Sequence, residues 1–141
     1  MIRFFIPGTP VPQARPRFTR QGWAYEPKTC KDYKKAVAQA ARIAWGDCEP
    51  LDGPVEVALI FILPIPQSWP LKKKDAARAG VLLPLKKPDG DNLEKLILDA
   101  LTGICWQDDS QVARCAWGKV YGVDPGVVVS VDGIDDFNGG E

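Results

Sequence analysis

The stretch Pro54-Val55-Glu56-Val57-Ala58-Leu59-Ile60-Phe61-Ile62-Leu63 decides the fold. Its second half is uniformly apolar and lacks the polar alternation that marks a half-exposed strand. Strands of this composition are typical of the middle of a sheet that is covered on both faces. We therefore expect residues 55–63 to form a central strand that is buried on both sides, with the other elements arranged around it.

An amphipathic helix is predicted before this strand, over residues 29–45. Its basic side chains lie mostly off the apolar stripe, as they do in a helix that packs one face on a core. Thr29, with Asp32 three positions later, has the pattern of a capping box and marks the expected start. The stripe itself consists of Tyr33, Ala36, Val37, Ala40, Ala41 and Ala44.

Three more strands are predicted from alternating or β-branched runs between turn residues. They cover residues 1–6, 112–121 and 127–131, and the last two are expected to form a hairpin through residues 122–126. The final segment, 132–141, holds three aspartates and a Gly-Gly pair, which indicates a flexible acidic tail.

Composition narrows the class of protein. A chain of 141 residues with 45% apolar residues is most economically one domain. No apolar run approaches the length of a membrane span, and the apolar part of the N-terminus is too short for a signal peptide, so a cytoplasmic location is the default expectation.

The sequence contains no histidine, which excludes Ser-His and Cys-His mechanisms and the common zinc sites. Its four cysteines have no CxxC spacing and are expected to be buried, reduced thiols. The remaining routes to an enzyme are carboxylate, lysine or metal chemistry. The cysteines are Cys30, Cys48, Cys105 and Cys115.

A second helix is predicted to begin with Asp91 as its N-cap and Glu94 at N3, and to end near Leu101. At 100° per residue, Lys95 and Asp99 follow Asp91 along one face of this helix. The opposite face, which is expected to meet the core, carries Leu93, Leu96, Ile97 and Ala100.

Two pairs of carboxylates flank this helix. Asp89 and Asp91 stand at its start, and Asp108 and Asp109 follow about 18 residues later. If residues 102–107 turn the chain back, the pairs approach each other, and a divalent cation would relieve their repulsion. Oxygen ligands without His or Cys select Mg²⁺ or Mn²⁺, and Ca²⁺ if the site is large enough. The alternative, solvated surface acids with a helix cap, remains open on spacing alone.

The charge is unevenly distributed, although the net charge is zero. Residues 1–88 carry 15 basic and 7 acidic side chains, whereas residues 89–141 carry 3 basic and 11 acidic ones. A polyanion could meet the first part while cations occupy the second.

Two basic segments are candidates for that contact. Residues 13–26 interleave arginines with aromatic residues, which suits a ribbon that faces a phosphate backbone, or else an ordinary hairpin with a solvated face. Lys72-Lys73-Lys74 is predicted to start a short helix that ends at Gly80, and it too could be only a solvated face.

Together these motifs resemble the RusA family of Holliday junction resolvases, which is common in phages and prophages. The resemblance rests on Lys87-Pro88-Asp89-Gly90-Asp91-Asn92-Leu93 through Lys95, on Leu98-Asp99-Ala100-Leu101, and on Trp106-Gln107-Asp108-Asp109-Ser110-Gln111-Val112. With the opening Pro7-Gly8 to Pro16-Arg17-Phe18 and the last strands, it covers residues 1–131.

The resemblance implies a small α+β domain, with a mixed sheet of about four to five strands packed with two main helices. It also implies a homodimer that nicks four-way DNA junctions with Mg²⁺, or Mn²⁺, in DNA recombination and repair. Asp89, Asp91 and Asp109 would be the metal-binding acids, Asp108 an accessory to them, and Lys95 the catalytic lysine. The basic residues expected to hold the DNA arms are Arg15, Arg17, Lys72, Lys73, Lys74, Lys86 and Lys87.

A twofold dimer suits a four-way junction, because the junction is itself approximately twofold symmetric and needs paired cuts. Leu98, apolar on the polar side of its helix, would belong to the dimer interface or to the wall of the site. Two alternative functions remain: a non-catalytic junction-binding protein whose acids are structural, and a nuclease that cuts flaps or other branched DNA. No membrane partner is expected.

Overall fold

The fold consists of six strands, three helices and one 3-10 turn within the described residues. A computed structural model describes residues 1–135, and the expected tail therefore lies mostly outside the described residues. In chain order the elements are β1 (Ile2–Pro7), β2 (Arg17–Phe18), β3 (Ala24–Tyr25), α1 (Lys28–Trp45), β4 (Val55–Pro64), α2 (Leu71–Arg78), α3 (Gly90–Leu101), a 3-10 turn (Asp109–Gln111), β5 (Val112–Gly122) and β6 (Gly126–Gly133).

Four of these strands form one mixed sheet in the order β1-β6-β4-β5. β4 pairs in parallel with β5 and antiparallel with β6, and β1 pairs antiparallel with β6. β2 and β3 form a separate two-stranded sheet. This is the expected small α+β domain, and the central place of β4 is confirmed.

The expected hairpin between the last two strands is wrong, because β4 lies between β5 and β6. β4 is ten residues long and hydrogen-bonds along both of its edges, so it separates strands that are adjacent in sequence. Alternation of apolar residues identifies a strand but says nothing about its neighbour in the sheet.

The prediction that β4 is buried on both faces is also wrong. Ile60 is 41% exposed, and the face that it shares with Ala58 points away from α1 and α3. The composition of β4 matches a covered strand, but within residues 1–135 the helices cover one side of the sheet. The face buried beneath the helices carries Val55, Val57, Leu59, Phe61 and Leu63.

Helix α1 starts one residue before the predicted position, but its cap differs. Pro27 occupies the N-cap and no side chain caps the helix, so the capping box expected at Thr29 and Asp32 is wrong. The Pro27 carbonyl accepts a hydrogen bond from the Lys31 N–H at 3.1 Å, which places Thr29 inside the first turn. The side chains that α1 buries are Cys30, Val37, Ala41 and Trp45.

The short helix α2 forms around the lysine run as predicted, and Gly80 follows it with a positive φ of 77°.

The cysteines are free thiols; Cys30 and Cys105 are buried, but Cys48 is exposed, contrary to expectation. Among the described residues, no helix combines the length and hydropathy needed to cross a bilayer.

Replacing Leu59 in the centre of β4 tests this assignment of faces. Leu59 is fully buried, and Leu59→Ala is expected to lower the free energy of unfolding by about 2–5 kcal/mol through lost burial and a residual cavity. Leu71→Ala, at an exposed site on α2, is the matched control and should change it by less than about 1 kcal/mol. Urea unfolding followed by circular dichroism measures both, and equal losses would contradict the assignment.

Candidate active site

The first turn of α3 places two carboxylates at one end of the helix. The helix begins at Gly90 with Asp89 at the N-cap position, so the predicted N-cap at Asp91 is wrong by two residues. The backbone makes the difference, because the Asp89 carbonyl already accepts the Leu93 N–H at 3.1 Å. No side chain makes a capping hydrogen bond here. The carboxylates of Asp89 and Asp91 are therefore not used to cap the helix.

Gly90, between these two aspartates, is required by packing. A Cβ atom at this position would overlap the indole ring of Trp117, which lies on β5. The close approach seats the start of α3 directly on the sheet, and it fixes where Asp89 and Asp91 lie relative to β5.

Three of the four residues predicted to face the core are confirmed, and the fourth, Ala100, is only partly buried. Leu93, Leu96 and Ile97 are almost fully buried, and Leu101 is buried with them. Asp91 and Asp99 are exposed on the other side of the helix, along with Lys95. Burial of one stripe therefore leaves the charged row facing outward.

Asp108 has a structural task in the second acidic pair. Its Oδ1 accepts the Ser110 N–H at 3.0 Å, and its own N–H donates to Gln111 Oε1 at 3.0 Å, which completes a capping box on the 3-10 turn. A hydrogen bond from the Ser110 backbone N–H, followed by hydrogen bonds from the side chains of Asp109 and Ser110, holds the pKa of Asp108 below its usual value. Asp109 is left as the member of the pair that can face a ligand.

Gln111 anchors this turn to the rest of the molecule and was missed in the sequence. Its Nε2 donates to the carbonyls of Leu51 at 2.7 Å and Gly53 at 2.9 Å, just before β4. The signal was present, because Asp108 and Gln111 have the spacing of a capping box. The turn that carries Asp109 is therefore held against the start of the central strand.

One member of each acidic pair lines a cleft of about 540 Å³ between α3 and the start of β5. Asp91 and Lys95 of α3 and Asp109 of the turn all line it, so the predicted approach of the two pairs is seen for these members. Leu98 is part of the wall. Glu94, which the sequence interpretation assigned to a helix cap, also lines the cleft. The full lining is Asp91, Glu94, Lys95, Leu98, Asp99, Asp109, Val112 and Cys115.

The other two predicted acids lie beside this cleft rather than in its lining. Asp89 is exposed one residue before α3. Asp108 lines an adjoining depression together with Lys34, Asp99 and Asp109. Asp99 and Asp109 are thus shared by the cleft and the depression.

Beside the cleft Lys34 pairs with two carboxylates, and within it Cys115 is partly buried. Lys34 Nζ lies 2.6 Å from Glu26 and 3.6 Å from Asp99, and its hydrogen bond lowers the pKa of Glu26. Burial, with a smaller effect of neighbouring Glu94, raises the pKa of Cys115 to about 12. Cys115 is therefore a neutral thiol at physiological pH, and it does not supply a thiolate nucleophile.

The donors in the cleft suit a hard divalent cation. Within residues 1–135, no three acidic or cysteine side chains lie close enough to enclose an ion. Mg²⁺ does not need such a cage, because it is commonly held by one or two carboxylates while water and substrate phosphate oxygens complete its octahedron. Asp91 and Asp109 supply carboxylates of this kind on two sides of an open cleft.

The predicted basic residues lie in three places. Arg15 and Arg17 are exposed on or beside the β2–β3 sheet. Lys86 and Lys87 precede Asp89, and Lys119 of β5, another missed residue, holds their backbone by donating to the carbonyls of Lys86 at 3.2 Å and Pro88 at 3.1 Å.

The lysine run of α2 is attached farther along β5. Lys73 lies over the Trp69 ring, 4.1 Å from its centroid, and Trp69 packs edge-on against Tyr121 of β5 at 5.2 Å. A cation over an aromatic face gains roughly 0.5–1 kcal/mol at such an exposed site. This contact fixes the start of α2, and hence its lysines, near the end of β5.

Comparison with known proteins gives two matches. Residues 7–132 match the protein-family model described as Endodeoxyribonuclease RusA. A protein of Bacillus subtilis (strain 168) that is described as the uncharacterized protein YqaN is 36% identical over 135 residues, which is 92% of this chain and 94% of that protein.

The contact between Gly90 and Trp117 makes a testable pair. Gly90→Ala is expected to cost about 1–3 kcal/mol of stability, because the added methyl forces the indole ring or the helix start to move. In a Trp117→Ala background, where the ring is absent, the same Gly90→Ala substitution should cost less stability. A double-mutant cycle from urea unfolding measures the coupling, and strictly additive losses would show that the ring does not constrain position 90.

Proposed function

This chain belongs to the RusA endodeoxyribonuclease family, and from this premise we propose that it is a divalent-metal-dependent endonuclease that resolves four-way DNA junctions by paired, symmetric nicks in recombination and repair. The observation that carries the proposal is the cleft in which Asp91 and Lys95 of α3 face Asp109 of the neighbouring turn.

In this proposal Asp91 and Asp109 hold Mg²⁺ or Mn²⁺ directly. Asp89 lies beside the cleft at the helix N-cap, where its carboxylate makes no capping bond, and it would reach the ion through water. Asp108 supports Asp109 by fixing the turn. Bound in the cleft, the metal would supply Lewis-acid polarisation of the scissile phosphate.

Lys95 supplies the positive charge among the residues that line the cleft. Phosphodiester hydrolysis adds water at phosphorus and breaks one P–O bond, and negative charge grows on the phosphoryl oxygens in the transition state. An ammonium group one helical turn from Asp91 can stabilise that charge. Glu94, beside Lys95 on α3, contributes a further carboxylate that can hydrogen-bond to water in the cleft.

The proposed path of one DNA arm follows β5. Cys115 lies in the cleft, Lys119 holds the loop that carries Lys86 and Lys87, and Tyr121 contacts the aromatic residue under Lys73. Tyr121 is six positions after Cys115 along the strand, a distance of about 20 Å. A phosphate backbone leaving the cleft along β5 would therefore meet Lys86, Lys87 and then the lysines of α2 in order.

A homodimer is part of the proposal, because two cuts in strands related by a twofold axis need two matching sites. The surface we assign to the second copy is the open face of the sheet, defined by the outward side chains of β1, β4 and β5. It exposes Phe5 and Ile60, and it places Glu56 opposite Arg114. Apolar groups beside charges of both signs are suited to self-complementary pairing about a twofold axis.

Asp91→Asn tests the nuclease. The substitution keeps the size of the side chain but removes a charged ligand, so it is expected to leave junction binding within about twofold and to reduce Mg²⁺-dependent cleavage by at least about 100-fold. Cleavage of a labelled mobile junction and gel-shift affinity are the two measurements. Asp124→Asn, at an exposed site between β5 and β6, is the matched control and should cut normally.

The substrate and metal arms of the same assay separate the alternatives. Undiminished DNA cleavage by Asp91→Asn would contradict the assignment of this site. Junction binding that persists in EDTA, with all strands left intact in Mg²⁺ as well, would indicate a junction-binding protein. Cleavage of flaps in preference to four-way junctions would indicate a different branched-DNA nuclease, whereas paired nicks on the junction alone would support resolution.

Ile60→Glu tests the dimer surface. A carboxylate placed on the open face must lose its hydration when the second copy docks, so the dissociation constant of the dimer should rise roughly 30-fold or more. Ile43→Glu, at an exposed site on α1, is the matched control and should remain dimeric. Sedimentation velocity over a concentration series measures both. A monomeric unaltered chain, or a dimer that depends on Ile43, would refute this surface.

A further inference from the structure

The β2–β3 sheet and the turn that joins it, residues 15–25, form a small projection that we call the ribbon. Three of its aromatic side chains are exposed: Phe18 by 68%, Trp23 by 73% and Tyr25 by 44%. Removing a large aromatic side chain from water normally lowers the free energy, and such residues are enriched where a surface binds a partner. A group of three within so short a segment needs an explanation that folding alone does not give.

Pairing within the ribbon sorts these side chains by face. Arg17 is directly opposite Tyr25, and the next pair along is Phe18 opposite Ala24. The Thr19 N–H donates to the Trp23 carbonyl at 2.9 Å, which continues the ladder by one more pair. Because side chains alternate between faces, Trp23, Tyr25 and Arg17 share one face. That face carries two aromatic rings beside a guanidinium.

The ribbon is basic throughout. Residues 13–25 contain no acidic residue and three arginines, Arg15, Arg17 and Arg20. None of the three enters an ion pair with another residue of the described chain. Their guanidinium groups are therefore available to anions, and a partner that offers both flat rings and negative charge fits this surface.

Both ends of the ribbon are fastened beside the acidic cleft. On the entering side, the Gln13 N–H donates to the carbonyl of Asn92, the residue after Asp91, at 2.9 Å. On the leaving side, Glu26 accepts from the Gln13 side chain at 3.1 Å and pairs with Lys34. Lys34 in turn reaches Asp99, which lines the cleft.

We propose that the ribbon binds unpaired or unstacked bases at the branch point of the DNA, with Trp23 and Tyr25 stacking on the bases while Arg15, Arg17 and Arg20 contact the adjoining phosphates. The inference rests on the proposed nuclease function, and it adds the part of the substrate that this segment reads. Since the ribbon is fastened to the first turn of α3, a base held on it lies at a fixed position relative to the cleft.

Exposed bases suit this surface better than an ordinary duplex does. Within a duplex, base faces are stacked on one another and only phosphates and groove edges are accessible, so arginines alone would suffice. At a branch point, stacking between arms is interrupted and base faces become available. Aromatic stacking is tolerant of sequence, and removing one aromatic residue commonly weakens binding to an exposed base roughly tenfold.

The test uses Trp23→Ala/Tyr25→Ala in the Asp91→Asn background, so that binding is measured without cleavage. The probes are a fluorescein-labelled four-way junction and a linear duplex of the same arm sequence, followed by fluorescence anisotropy. Affinity for the junction is expected to fall at least tenfold, while affinity for the duplex changes by less than twofold. Trp23→Phe, which keeps an aromatic ring, should retain most junction binding. Thermal unfolding serves to check that the variants are folded.

A second measurement locates the contact. With 5-iododeoxyuridine at the branch point, ultraviolet crosslinking should map to residues 18–25, and moving the analogue into an arm should abolish the crosslink. Unchanged junction affinity, or equal weakening on junction and duplex, would overturn the proposal. So would conversion of a dimer to a monomer by the aromatic substitutions.

Cleavage keeps this inference separate from the proposed function. If the unaltered chain never cuts with Mg²⁺ but its ribbon variants lose junction binding, the ribbon proposal is supported and the nuclease proposal is rejected. If the unaltered chain cuts junctions but its ribbon variants bind them as tightly as it does, the ribbon proposal is rejected and the nuclease proposal stands.

Discussion

Burial of the apolar stripe of α3 against the sheet is the interaction on which the rest of the structure depends. Leu93, Leu96 and Ile97 pack beneath the helix, with Phe61 of β4 in the same core. A helix buried on one side must present its other side to solvent, so the row of charged residues is a geometric result of this packing. Removing apolar surface from water at about 25 cal/mol per Å² supplies the free energy that holds the helix, and with it the charged row, in place.

Much of this could be read from the sequence because it is local. The periodicity of α1 and α3 and the composition of β1, β4, β5 and β6 identify the elements within a few residues. The sheet order could not be predicted, because the neighbour of a strand is chosen by contacts far away in the chain. Cap positions also failed: the backbone around Pro27 and Asp89 closes the first turns earlier than side-chain preferences indicate.

The candidate site divides in the same way. Asp91, Lys95 and Asp109 could be chosen as candidates because their residue types and spacing suit the chemistry, and the fold brings them to one cleft. Gln111 and Lys119 were missed as positioning residues because both bind backbone carbonyls that any sequence would present. Their partners lie 31 to 60 residues away in the chain, beyond the reach of any local pattern. The capping-box spacing marks the local role of Gln111, but these long-range hydrogen bonds become visible only when the fold is known.

The separation of charge has a consequence for how the protein finds DNA. With no net charge, it gains little attraction from a distant polyanion, and fields are screened beyond about 8 Å at physiological ionic strength. At shorter range DNA phosphates attract the basic ribbon and the lysines and repel the acidic cleft. The electrostatic interaction therefore favours one orientation of the protein but contributes little net attraction. Straight duplex would be sampled weakly and released quickly. Sites where several backbones converge, and where local phosphate density is highest, would hold it longer, so part of the discrimination between branched and linear DNA would reside in residence time.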